Sequence, residues 1–156
     1  GQIMLVATDL DGCLTDAGMF YTELGDEFKK FNTHDGKGFE LLRKAGIQTA
    51  IITAEDRQLN ERRATKVKAD HLFQGVKDKV AVAEKLLTQL GLDWSEMAYV
   101  GDDVNDLELL KRVGFAACPA NALPAVKSLS NVWHLSKEGG SGAFREVVQL
   151  ILASKD

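Results

Sequence analysis

Short apolar, β-prone runs recur along this chain with helix-patterned stretches between them, and that alternation narrows the fold to one class. Ile3 to Ala7, Ile47 to Ile52, Met97 to Val100, Gly114 to Ala117 and Val132 to Leu135 read as strands, and His71-Leu72-Phe73 as a shorter one. One helix is expected to begin at Phe39-Glu40-Leu41-Leu42. Others fit residues 57 to 68, 79 to 90, a stretch through Leu107 to Leu110, and Ala143 to Leu152. Ala45-Gly46 supplies a helix stop before the second strand. The expected architecture is α/β: a Rossmann-like, doubly wound parallel sheet with helices on both faces.

One stretch breaks the pattern. Gly18 to Tyr21 and Glu27 to Phe31 are short, partly aromatic and β-prone, with Thr22 to Asp26 as a turn between them. This predicts a β-hairpin inserted directly after the first strand. A lone hairpin is marginal in water, so it is expected to pack on something else.

With 156 residues and no repeat, linker or low-complexity tract, residues 1 to 156 fit a single domain able to bury a core. A net charge of −4 argues against nucleic acid as a partner. The basic run from Glu61 to Lys68 reads as the solvated face of a helix. Cys13 and Cys118 make no disulfide framework, which favours a reducing, cytoplasmic setting. The apolar start is too short to span a membrane and lacks the flanks of a signal peptide, so no membrane association is expected.

In a doubly wound sheet, ligands bind beyond the carboxyl ends of the strands. The first strand ends in Asp9-Leu10-Asp11-Gly12, and residues two apart in extended chain face the same side. Two adjacent carboxylates repel, so they need a cation or a shared proton. Alone, the motif fits a capped turn equally well. The second strand ends in Thr53. Lys79 opens a helix and offers a point charge for phosphate. The third strand ends in Gly101-Asp102-Asp103-Val104-Asn105-Asp106. Asp9, Asp11 and Asp102 form a hard oxygen set suited to Mg²⁺. Asp103 reads as a helix cap, and Asp106 as a group that orients a neighbour.

Taken in order, Asp9-x-Asp11-Gly12-x-x-Thr15, Thr53, Lys79 and Gly101-Asp102-Asp103-x-x-Asp106 resemble the four motifs of the haloacid dehalogenase superfamily. The resemblance implies that Asp9 attacks phosphorus to form an aspartyl-phosphate. It implies that Asp11 protonates the leaving alcohol and then activates water, and that Thr53 and Lys79 hold phosphoryl oxygens. Mg²⁺ would be bound by Asp9, Asp102 and the backbone carbonyl of Asp11. Phosphate-monoester hydrolysis needs acceleration of up to ~10²¹, about 28 kcal/mol, which no single side chain supplies. A covalent intermediate and charge neutralisation on the transferring group divide that demand.

Many superfamily members carry a cap domain, but here nothing larger than the hairpin follows the first motif. The hairpin, Lys30 to Gly38 and the ending Gly139 to Glu146 resemble the capless 3-deoxy-ulosonate phosphatases, which act on KDO 8-phosphate or KDN 9-phosphate. That resemblance implies a sugar-phosphate substrate and a homotetramer with shared active sites, in which a neighbour's C-terminal segment closes each site. Thr53-Ala54-Glu55 replaces the Thr-Gly-Arg usual in the eight-carbon enzymes, and Ser141 replaces an Arg. Glu55, with Lys66 taken as near it in helical register, resembles the nine-carbon subgroup, so KDN 9-phosphate is favoured. Yet His34 to Gly38 resembles the eight-carbon group. Arg145 reads either as a surface helix residue or as a fork for the substrate carboxylate. A phospho-acceptor signalling domain and a non-catalytic assembly domain of the same fold are the alternatives. The acid at Asp11 argues against the first, and the full set of acids against the second.

Overall fold

The computed structural model describes residues 2 to 155. The chain runs β1 (Leu5–Thr8), β2 (Phe20–Tyr21), β3 (Glu27–Phe28), α1 (Thr33–Lys44), β4 (Gln48–Ile52), α2 (Gln58–Val67), β5 (His71–Phe73) and α3 (Lys79–Leu90). It continues with β6 (Met97–Val100), α4 (Leu107–Arg112), β7 (Phe115–Cys118), α5 (Pro124–Lys127), β8 (Val132–His134) and α6 (Ala143–Ala153). The sheet order is β5-β4-β1-β6-β7-β8, with every pairing parallel. This is the doubly wound α/β fold expected from the alternation. The first strand lies centrally, flanked by β4 and β6, so β1, β4 and β6 deliver their carboxyl ends side by side.

Strand side chains alternate between two cores. Val6, Ile51, Ala98 and Ala117 face α1, α2 and α6, whereas Leu5, Ala7, Ile52, Tyr99 and Cys118 face α3, α4 and α5. Each large side chain buried in this way contributes about 1.5–3 kcal/mol. Phe39 of α1 stacks on Phe144 of α6 at 4.5 Å between ring centroids.

Helix α1 starts at Thr33, six residues before the expected Phe39. Asn32 caps it by accepting from the His34 amide at 2.7 Å. The two glycines that discourage a helix here serve packing instead. A Cβ at Gly38 would lie 3.0 Å from Val148 Cγ2, so glycine lets α1 and α6 approach closely. The hairpin is present, with Phe20 opposite Phe28, but its strands are shorter than the β-prone runs. The short α5, opened by Pro124, carries too few residues to show a period. No cap interrupts the described residues, and no helix among them is long and apolar enough to cross a membrane.

Candidate active site

The carboxyl ends of β1, β4 and β6 open on a cavity of about 280 Å³ lined by Asp9, Asp11, Thr53, Glu55, Asp102, Asp103 and Asn105, with Ala17 and Met19 approaching from the hairpin side. A more apolar groove of about 320 Å³, bounded by Ile3, Phe115, Trp133 and Leu150, has no titratable group in its wall. The chemistry therefore belongs to the acid-lined cavity.

Asp9 follows β1 and is buried. Its Oδ1 accepts from the Leu10 amide at 2.7 Å and lies 3.3 Å from Lys79 Nζ. Burial pushes its carboxyl well above the usual range, Asp106 and Asp102 push it further, and Lys79 opposes them. Gly12 makes the turn possible with φ +87°, and a Cβ there would run into the Asp102 carboxylate. We predict that Gly12→Ala costs about 1–3 kcal/mol and displaces Asp102. A thermal melt and a divalent-metal titration check this; wild-type values in both would refute it.

Lys79, the first residue of α3, is buried behind Asp9 and does not line the cavity wall. It donates to Asp106 Oδ1 at 2.7 Å and to the Tyr99 hydroxyl at 3.1 Å, and Tyr99 donates to the same Asp106 oxygen at 2.5 Å. The other oxygen of Asp106 accepts from the Asp102 and Asp103 amides. Asp106 thus braces the β6 loop, while Asp103 caps the turn after it by accepting from the Val104 amide. Tyr99 went unnoticed in the sequence, although a tyrosine inside a buried strand needs a partner for its hydroxyl.

Oxygens of Asp9, Asp102 and Asp106 all lie within 4.8 Å of one another. Three carboxylates here face a single ammonium, and burial together with Asp106 pushes the Asp102 carboxyl up to about 6. Because Asp106 is engaged by Lys79, Tyr99 and two amides, Asp9 and Asp102 are the acids left to hold a hard cation.

Asp11 sits at the other side of the cavity, half-buried. Lys29 of the hairpin reaches it at 3.0 Å from Oδ1 and 3.1 Å from Oδ2, and also donates to Glu55 Oε1 at 2.6 Å. Burial raises the Asp11 carboxyl, neighbouring Glu55 adds to this, and Lys29 opposes it. A raised carboxyl keeps its proton closer to neutral pH, the state a proton donor starts from. Thr53 is buried at the end of β4, and its Oγ1 accepts from the Glu55 amide at 3.3 Å. Cys13 is packed in the core, with Sγ 3.6 Å from the Val100 carbonyl.

Two expected substrate residues lie elsewhere. Lys66 is exposed in the last turn of α2 and is absent from the cavity lining, and the ammonium on Glu55 is that of Lys29 instead. Arg145 is turned from the cavity: its amide donates to Asp35 Oδ1 at 3.0 Å, and its Nη1 to the His34 carbonyl at 3.2 Å.

The model of the haloacid dehalogenase-like hydrolases matches residues 22–114. The chain is 36% identical over 156 residues to the 3-deoxy-D-manno-octulosonate 8-phosphate phosphatase KdsC of Yersinia pestis, covering 99% of this chain and 82% of that one. It superposes with a TM-score of 0.93 on the 3-deoxy-D-manno-octulosonate 8-phosphate phosphatase of Moraxella catarrhalis, solved with a magnesium ion, a phosphate ion and KDO. That match is 38% identical and covers 97% and 87% of the two chains. The cobalt-bound phosphatase of Haemophilus influenzae matches at TM-score 0.92 and 34% identity, over 99% and 90%.

Proposed function

The chain belongs to the haloacid dehalogenase-like hydrolases, among the capless 3-deoxy-ulosonate phosphate phosphatases, and from that premise we propose that it hydrolyses KDO 8-phosphate through an aspartyl-phosphate on Asp9. The observation that carries the reading is the placing of Asp9, Asp11, Thr53 and Asp102 around one cavity at the sheet's carboxyl edge. The contacts of Asp9 with the Leu10 amide and Lys79 fall on Oδ1, and we assign the attack on phosphorus to Oδ2. As that bond forms, the bond from phosphorus to the sugar oxygen breaks, and Asp11 gives that oxygen its proton. Asp11, now a carboxylate, takes a proton from the water that releases phosphate from Asp9. Thr53 offers a hydroxyl to a phosphoryl oxygen, and Lys79 steadies the charge on Asp9 from behind.

Mg²⁺ suits the hard oxygens and the excess negative charge beside Asp9. Asp9, Asp102 and the carbonyl of Asp11 would hold it, and when bound it offsets charge on the transferring phosphoryl group. Chelation of divalent metal is expected to abolish phosphate release from the sugar phosphate, and added Mg²⁺ to restore it. Undiminished release in chelator would contradict the metal assignment.

A second reading, KDN 9-phosphate, is favoured by the Glu55 carboxylate in the cavity wall. Lys66, the other residue that supported it, is not among the residues lining the cavity. Relative kcat/KM on the two sugar phosphates decides: a tenfold or greater preference for the eight-carbon ester is expected on the scale of polar-group discrimination (about 10-fold per 1.4 kcal/mol), and the reverse order would install the second reading.

We further propose one catalytic unit per chain, assembled as a homotetramer with shared sites. Exposed Phe20, Tyr21, Leu24 and Phe28 make the hairpin an apolar surface suited to a second copy. Arg145, turned from its own cavity, is then available only to a neighbour's substrate. The free, buried thiols of Cys13 and Cys118 suit a cytoplasmic setting.

A further inference from the structure

We infer that Lys29 is a positioning residue for the reaction, holding Asp11 and Glu55 in one geometry so that proton delivery depends on the hairpin being docked. The inference rests on the reading of Asp11 as proton donor. Phe28 and Lys30 are exposed, while the Lys29 side chain between them is fully buried, as alternation along an extended segment requires. Its ammonium meets both oxygens of Asp11, Glu55 Oε1 at 2.6 Å and Asn60 Oδ1 at 3.0 Å. Three N–H groups thus serve acceptors on three residues from separate parts of the chain.

The socket is preset from the far side. Buried Asn60 donates its Nδ2 to Gln74 Oε1 at 3.1 Å, which turns its Oδ1 towards Lys29. Gln74 Oε1 is held in turn by the Arg57 amide at 2.9 Å. Arg57 also pairs with Glu27 of β3 at 3.2 Å, a second tie between the hairpin and the start of α2. A buried ion pair is a poor device for stability alone, since apolar groups of like volume serve as well. What a lysine adds is a fixed direction for two carboxylates. Its side chain has no exposed surface, so the ammonium touches no substrate. Asp11 receives a further contact from Thr15 Oγ1 at 3.4 Å and hydrogen-bonds the Glu55 carboxyl, so without Lys29 it is oriented by a long bond and by a group that Lys29 itself holds in place.

The test uses leaving groups that differ in their need for a proton. An alkoxide departs only with a proton from Asp11, whereas p-nitrophenolate departs as a stable anion. Their kcat/KM values report the step in which the leaving group departs. Lys29→Met is expected to lower kcat/KM on KDO 8-phosphate by about 10²-fold, the scale of a one-ångström misplacement. The fall on p-nitrophenyl phosphate should be at least about tenfold smaller. A partly folded preparation lowers both values together, so the ratio is unaffected by it. Lys29→Cys alkylated with bromoethylamine regains an ammonium at similar reach and should return the ratio towards wild type. Equal falls on both esters, with Asp11→Asn showing the selective loss, would overturn the role of Lys29 and leave that of Asp11 standing. If Asp11→Asn is itself unselective, the proton-donor reading fails, and the inference built on it fails too.

Discussion

Asp9→Asn is expected to cut turnover of the sugar phosphate by about 10⁴-fold or more, the scale seen when a covalent nucleophile is removed. The same change should leave thermal stability no lower than wild type. Asn matches Asp in volume, and its carbonyl oxygen can keep the contacts that Asp9 Oδ1 makes with the Leu10 amide and Lys79. The substitution also relieves a buried carboxylate of repulsion from Asp106 and Asp102. Loss of activity with an intact melt identifies a chemical role. Retained turnover, measured as phosphate release under saturating substrate, would remove Asp9 from the mechanism.

The second large effect is on folding. Lys79→Met is expected to destabilise the protein by about 3–5 kcal/mol, because it leaves buried carboxylates without their cation. For a chain of this size that lowers Tm on the order of 10 °C. Lys79 and Asp106 are both buried and lie 2.7 Å apart, and Asp9 is 3.3 Å from the same ammonium. Asp106→Asn in the Met variant should recover part of the loss, since the amide is neutral and can still meet Tyr99 and the Asp102 and Asp103 amides. A coupling of about 1–3 kcal/mol between the two sites is expected from a double-mutant cycle. Phosphatase activity should not recover with stability, because Asp9 still lacks its cation. Additive stability losses would show that the pair is not energetically coupled.

The acids and Thr53 were legible because a single rule covers them: polar residues just past buried parallel strands converge at one edge; Lys79 was singled out by its place at a helix start and lies buried against Asp9. The strands themselves were legible because β1, β4 and β6 are short, mostly apolar runs, buried but for Gln48 at the start of β4. Lys29 was not, since a lysine in a short, exposed hairpin reads as a solvated side chain. Its burial depends on the hairpin folding back on α2, a long-range contact with no local signature. Lys66 was chosen on its spacing from Glu55, and spacing does not show which residues line the cavity, where Glu55 lies without it. Helix α1 began early because Gly36 and Gly38 answer to neighbours on α2 and α6 rather than to helix propensity.

The most direct measurement concerns the covalent step. Asp11→Asn enzyme is mixed with p-nitrophenyl phosphate, whose leaving group needs no proton from Asp11, and Mg²⁺, quenched in acid within one turnover, digested and analysed by mass spectrometry. With Asp11 unable to activate water, the peptide spanning Leu5 to Thr15 is expected to carry one phosphoryl group on Asp9, sensitive to hydroxylamine as an acyl phosphate. An unmodified peptide, under conditions where p-nitrophenolate has formed, would contradict the account: water would then attack the ester directly, and Asp9 would serve only to bind metal.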